Sequence, residues 1–352
     1  MKIAIDISQI VYGTGVSLYT KSLVENLLKI DHDNEYLLFA GALRRRSDVL
    51  KMFPGAQILP IPPMVADFVW NRVHQLPIDK LIGKIDVLHT SDWAEPASSA
   101  FKVTTIHDLY PLKFPKLIDP RVRDVHTRRL SWVFRESSRI IVPSLSTKND
   151  LLELGVDEPR IRVVGEAPVF SRAPEEAINK AKLKYGIKGN YLIAIGVTAL
   201  KNTLRIVKAF HLASAGRDLK LVLAGRPTGV KIPEERNVRV LGYVPNEDLE
   251  ALLTGSSGLI FASVYEGYGI PILDAFACGV PVVTSNTASM PEVTGEAAVL
   301  VDPMSVHSIG EGIARILRGP KGYVEKGLSR VKDFSWEKTA RETLAVYKEA
   351  LE

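Results

Sequence analysis

Short apolar runs rich in Val, Ile and Leu alternate along the chain with longer stretches in which apolar residues recur at helical spacing. Strands buried on both faces and joined by crossover helices give this pattern, so it predicts an α/β fold built on parallel sheets. In the first half the strand-like runs fall at residues 2–7, 36–39, 87–89, 103–106 and 139–142; residues 17–29, with Leu18, Leu23, Leu27 and Leu28, read as a helix. In the second half the runs fall at 191–195, 220–224, 238–241, 258–261, 281–284 and 298–301. The same unit is expected twice, in domains 1–168 and 169–337. The join lies near 167–174, where the prolines of Ala-Pro-Val-Phe-Ser-Arg-Ala-Pro disfavour regular structure. An open parallel sheet has its crevice at the carboxyl ends of its strands, so two such domains facing one another would enclose an extended ligand.

Composition narrows the class. At 352 residues the chain is long enough for two cores, and 46% hydrophobic with 24% charged residues is ordinary for a globular protein. Its one cysteine, Cys278, excludes an internal disulfide and a cysteine-rich metal site and fits a reducing compartment. Met1 leads straight into Ile3-Ala4-Ile5, and no run approaches ~18 apolar residues, so a cytoplasmic protein is expected, neither secreted nor membrane-spanning. The net charge of +5 favours phosphate-bearing ligands or an anionic membrane surface without calling for nucleic acid.

The candidate chemistry sits in loops after strands. Gly13-Thr14-Gly15 precedes the first helix, where backbone amides and a helix N-terminus can face an anion. The third glycine of a dinucleotide fingerprint is absent, since Leu18 stands there, and no Gly-Lys-Ser/Thr loop occurs. A flexible turn explains the glycine pair as well as a phosphate seat does. The stretch Glu266-Gly267-Tyr268-Gly269-Ile270-Pro271, followed by Asp274 and Gly279, carries more. Its glycines permit close backbone approach, and Pro271 suits a first helical turn whose amides point at a ligand. Glu266 projects from the loop and Asp274 follows one turn into the helix, so both carboxylates can reach hydroxyl groups of one ligand, sugar hydroxyls above all. Asp31-His32-Asp33 has a metal-binding form but follows a helix, and a solvated turn is expected there. Arg44-Arg45-Arg46 is too short for a membrane-binding cluster and reads as a helper toward anionic lipid or a pyrophosphate-linked acceptor.

The Glu266 run resembles the retaining glycosyltransferases of family 4, whose GT-B fold sets two Rossmann-like domains face to face across a cleft. The family signature is a glutamate, seven residues and a second glutamate; here Glu266 and Asp274 hold those positions, the second acid being shorter. The resemblance implies that the first carboxylate meets the transferred sugar and the second the ribose. It further implies that backbone near Val244, in Leu241-Gly-Tyr243-Val244-Pro, meets the nucleobase. Lys201-Asn202, at the end of Gly196-Val-Thr-Ala-Leu200-Lys201, would hold the donor pyrophosphate, with Arg226 or Arg205 in place of the basic neighbour that Leu200 replaces. The Asn-Gly expected after the interdomain strand is missing, since the chain reads Val164-Gly165-Glu166-Ala167. The closing segment from Phe334 resembles the helix that returns to the first domain, placing residues about 338–352 on it.

In the first domain, Val103-Thr-Thr-Ile-His107-Asp108-Leu resembles the strand end whose histidine faces the donor sugar. His107 and Glu266 are the catalytic candidates; His89, Trp93 and Asp108 are candidates for the acceptor side. The resemblance is greatest to bacterial or archaeal mannosyltransferases of surface polysaccharide synthesis. It implies transfer from GDP-mannose to a glycan or lipid-linked acceptor, with peripheral membrane contact, no cofactor and no metal. A UDP- or dTDP-sugar donor is the alternative, as is a non-catalytic subunit that binds a sugar nucleotide; a glycosidase, the other use of paired carboxylates, fits the phosphate seats poorly.

Overall fold

The computed structural model describes residues 1–352, which divide into two compact units: 1–166 together with 335–352, and 167–334. In the first unit, strands β1 (Lys2–Asp6), β2 (Glu35–Ala40), β3 (Gln57–Ile58), β4 (Val87–Ser91), β5 (Phe101–Thr105), β6 (Arg139–Val142) and β7 (Ile161–Val163) form one sheet in the order β3-β2-β1-β4-β5-β6-β7. Every neighbouring pair in it is parallel. The order reverses beside β1, so the connections leaving β1 and β4 run to opposite sides of the sheet and open a crevice at its carboxyl end, the place where a parallel sheet takes its ligand. β3 and β7 escape the periodicity because two or three residues carry no readable alternation.

The Gly15–Ile30 helix starts with Thr14 and Ser17 capping each other's amides and buries Leu23, Val24 and Leu27 on the sheet. It ends at Asp31, where the expected solvated turn needs correcting: Asp31 is buried and its carboxylate accepts from Tyr36, Asn34 and the Asp33 amide. The carboxylate ties the turn, and no group of His, Cys, Asp and Glu side chains could hold a metal ion. The Trp336–Lys348 helix packs Ala340, Val346 and Tyr347 into the same core as Leu23 and Leu27, and Thr339 donates to the Gly165 carbonyl. The chain therefore returns to the first unit after completing the second.

In the second unit, β8 (Asn190–Ile195), β9 (Leu219–Ala224), β10 (Val238–Gly242), β11 (Leu259–Phe261), β12 (Val282–Ser285) and β13 (Val299–Val301) run parallel in the order β10-β9-β8-β11-β12-β13. The Val306–Arg318 helix lays Ile309, Ile313 and Ile316 onto this sheet. It approaches closely because of Gly312, where a Cβ would sit 2.6 Å from Val301 and 2.9 Å from Val283. No helix in the chain is long and apolar enough to cross a membrane.

Candidate active site

In the second unit the chemistry converges on the carboxyl ends of β8 and β11. The loop after β8 carries Lys201, whose Nζ lies 2.7 and 2.9 Å from the two carboxylate oxygens of Glu266 on the loop after β11. The lysine stem crosses Gly196, where φ is +86° and a Cβ would come within 2.8 Å of the Lys201 Cγ, and its ammonium lies 4.8 Å from the Phe261 ring centroid. Only glycine leaves that passage open. The two loops are sewn together by the Val264 amide donating to the Leu200 carbonyl, so the backbone of the leucine remains useful where a basic side chain was expected.

Asn202 is a different residue from the one expected. It is buried, its backbone is left-handed at φ 61°, and its amide donates to the Ala262 and Pro303 carbonyls while its oxygen accepts from Arg205. Through these bonds it fixes the loop that presents Lys201. Asparagine suits the post because it tolerates the left-handed region.

Ser289 donates to the Glu266 and Tyr268 carbonyls and fixes the turn through Gly267. Gly269, at φ 112°, opens the Ile270–Ala277 helix with Pro271 in the first turn and no side-chain cap, so that helix end offers its amides and positive dipole. Asp274 corrects a second expectation. It is 4% exposed, and its Oδ1 accepts from the Val169 and Phe170 amides at 2.8 and 3.0 Å. The shorter acid thus ties down the irregular segment that enters its own unit. Burial pushes its carboxyl up to about 7. Arg226 lies over the exposed ring of Tyr243 at 5.8 Å, a flat cationic platform at the end of β9, while the Val244 side chain is buried, leaving only its backbone to meet a base.

The first unit gathers its polar groups differently. His107, just past β5, stands edge-on to Tyr19 with ring centroids 4.5 Å apart, and its Nδ1 lies 3.1 Å from Glu166 Oε1. Its Nε2 is buried and has no partner. Nothing in the spacing pointed to Glu166; the one signal was that it displaces the expected Asn-Gly. Asp108 accepts from the Tyr110 amide, which orders the loop leaving His107. In the Gly13-Thr14-Gly15 turn the capping box uses the Thr14 amide, so the open amides of this helix end are those of Gly15 and Val16.

His89 lies inside the core, not on an acceptor surface: both ring nitrogens are spent, on Tyr347 Oη at 2.6 Å and Thr105 Oγ1 at 2.8 Å, and burial drives it down to about 3. Position on the middle strand β4 decides this, because side chains there are covered on both faces. Trp93 lines a largely apolar cavity of about 240 Å³ with Trp70, Phe39 and Met64. Arg45 is held by Asp48, with Arg44 and Arg46 beside it in an exposed turn. The sequence pattern also hid a buried charge cluster in which Glu95 lies 3.3 Å from Lys102 and 3.7 Å from Arg129.

Two parallel-sheet Rossmann-like units with their polar loops at the strand ends define a GT-B type α/β protein. The chain belongs to the group 1, family 4 glycosyltransferases: the Glycosyltransferase Family 4 model matches residues 13–166 and the Glycosyl transferases group 1 model residues 176–327. It is 28% identical over 284 residues to the O-antigen chain mannosyltransferase B of Escherichia coli, covering 74% of each chain. It is 27% identical over 267 residues to the serotype-specific mannosyltransferase WbdA of the same organism, a stretch covering 68% of this chain and 32% of that relative. Among solved structures, Anabaena HepE in complex with UDP and glucose matches 99% of this chain and 100% of its own, with a TM-score of 0.72 at 14% identity.

Proposed function

We propose that this glycosyltransferase moves mannose from GDP-mannose to a hydroxyl of a glycan or lipid-linked acceptor, with retention at the anomeric carbon and without a protein-bound metal. The observation that carries the proposal is the Lys201–Glu266 pair at 2.7 Å beside an uncapped helix end. A diphosphate arriving there competes for the lysine and releases the carboxylate to the hydroxyls of the attached sugar. Charge growing on the leaving phosphate is met by Lys201, Arg226 and the amides of Gly269 and Ile270, a preorganised field worth several kcal/mol in a water-poor site, about 3 for each well-placed donor. Gly13, Thr14 and Gly15 form a second, weaker phosphate seat in the first unit.

The chain's own groups then account for each part of the reaction. Tyr243 and the Val244 backbone hold the base, Glu266 and Tyr268 with Gly267 orient the sugar, and His107 contacts that sugar and steadies the positive charge at its anomeric carbon. The bond from that carbon to the phosphate oxygen breaks, the bond to the acceptor oxygen forms on the same face, and the acceptor proton passes to the departing phosphate. Mannose is favoured because two relatives are named as mannosyltransferases. A UDP-linked sugar is the second reading, favoured by the UDP and glucose of the HepE structure. Asp108 and Trp93 belong to the acceptor side, and the exposed Arg44, Arg45 and Arg46 supply peripheral contact with an anionic membrane.

Incubation with radiolabelled GDP-mannose, UDP-glucose and dTDP-glucose, followed by separation of free sugar, glycosylated acceptor and retained nucleotide sugar, tests the reading. Transfer of label from GDP-mannose, with an α product from the α donor, is the expected outcome; hydrolysis alone or retention alone refutes it. Thermal shifts with GDP, UDP and dTDP rank the bases independently, a ligand at about a hundred times its Kd adding about 2.7 kcal/mol to stability.

A further inference from the structure

Only two buried side-chain nitrogens in the chain lack a hydrogen-bond partner, Nε2 of His107 and Nε of Arg129, and both residues line the same cavity of about 180 Å³ in the first unit. Buried donors and acceptors are almost always satisfied, so two orphans in one cavity point to a ligand. Arg129 is 3% exposed on the Pro120–Glu136 helix; its Nη2 donates to Thr104 and faces Glu95 at 3.7 Å, so its charge is balanced while its Nε is buried without a partner.

The lining also includes two acids. Asp92, at the end of β4, is held at φ 71°, a left-handed backbone that a residue other than glycine adopts at some cost, and its carboxylate makes no hydrogen bond or ion pair. Asp108 lines the cavity as well. His126, its ring tilted over Trp93 at 5.1 Å, has its imidazole pushed below the usual range by burial. The cavity thus offers one balanced cation, two carboxylates and two imidazoles. The carboxylates disfavour an anionic group there, whereas a ring bearing hydroxyls finds both donors and acceptors.

We propose that this cavity seats the terminal ring of the acceptor as an uncharged sugar, with Arg129 Nε–H donating to one hydroxyl and the Asp92 carboxylate accepting from another, beside the His107 imidazole. The assignment rests on the transferase reading of His107 and adds the substrate class and two specificity-determining residues to it. His107 is poised for a hydroxyl: its Nδ1 lies 3.1 Å from Glu166 Oε1, and its buried Nε2 has no partner within the protein.

The test uses the full chain without any nucleotide sugar. Saturation-transfer NMR with methyl α-mannopyranoside and methyl α-glucopyranoside should show millimolar binding. Asp92→Asn, which keeps a residue tolerant of the left-handed backbone, and Arg129→Lys, which keeps the charge facing Glu95 but lacks Nε, should each weaken it by roughly tenfold, the loss of one hydrogen bond to a charged group. In the transfer assay the same variants should raise the acceptor KM and leave the donor KM unchanged, with melting temperatures showing that both are folded. Equal glycoside binding by wild type and both variants overturns the proposal, as does tighter binding of a hexose phosphate than of the neutral glycosides. Variant-sensitive glycoside binding with no transfer from any nucleotide sugar supports this site while refuting the transferase reading; normal transfer with an unaltered acceptor KM does the reverse.

Discussion

The two units share a parallel-sheet plan and treat ionisable groups in opposite ways. The first keeps them inside: His89 on a central strand, Glu95 with Lys102 and Arg129 behind it, and Asp6 at the end of β1, all less than a tenth exposed. The second keeps its sheet apolar, with Leu192, Ile193, Val222, Leu223, Ile260 and Val283 at 0% exposure, and moves its charges to the loops, where Lys201 and Glu266 meet. A buried polar network holds its shape only when each member is satisfied, whereas a loop ion pair can be exchanged for a ligand at small cost. One unit is built to present a fixed, shaped surface. The other is built to give up a contact when substrate arrives.

The comparison is most severely tested at the two proposed catalytic groups. Glu266→Ala and His107→Ala should each lower transfer by about a hundred- to a thousandfold with little change in melting temperature. A Glu266→Ala enzyme that turns over normally would end the loop-chemistry account of the second unit. Lys201→Ala should chiefly weaken use of the donor, lowering kcat/KM for it by roughly tenfold or more, since it removes a charge-assisted contact to the phosphate; initial-rate kinetics against donor concentration decide it.

Burial favours the neutral form in both units, and a buried base and a buried acid then answer to pH with opposite signs. His89 is depressed to about 3 from 6.5, so the unfolded chain protonates first as acid is added. Its contribution is whole above pH 6.5 and drains away toward pH 3, a change on the order of a few kcal/mol that a His89→Gln variant should lack. Asp274 is raised to about 7 from 3.8, so the folded state holds the proton longer. Stability from this group is present below pH 3.8 and is lost as pH rises through about 7; Asp274→Asn should gain on wild type above neutrality and not at pH 4. Denaturant titrations across pH would expose either slope, and like signs for both sites would overturn burial as their common cause. The smallest effect is expected at Tyr243→Ala, about 1 kcal/mol of donor binding from a lost stacking platform, measurable by calorimetry with nucleoside diphosphate alone.

Much of this was legible in the residues. β6 matches its expected span end for end, and most other strands fall within a residue or two, because long apolar runs between turn signals leave few alternatives. Glu266 and Gly269 are read from the loop after a strand, where local chemistry and spacing coincide, and Lys201 only from the resemblance to the family. At Asn202, Asp274 and His89 spacing carries less: each has the residue type the site calls for at the place in the chain, but whether its polar atoms face a ligand or the protein depends on partners such as Pro303, Val169 and Tyr347, which are far away in sequence.

The sequence alone determined the two α/β units, the strand-end loops and the family, since periodicity, turn residues and a continuous motif are all local properties of the chain. Folding decided which polar groups were already spent. It paired Glu166 with His107, closed Arg129 into a cavity with Asp92, and turned Asp274 inward. Hydrogen bonds and burial are set by neighbours in space, and a residue's neighbours in space are fixed only when the sheets have formed.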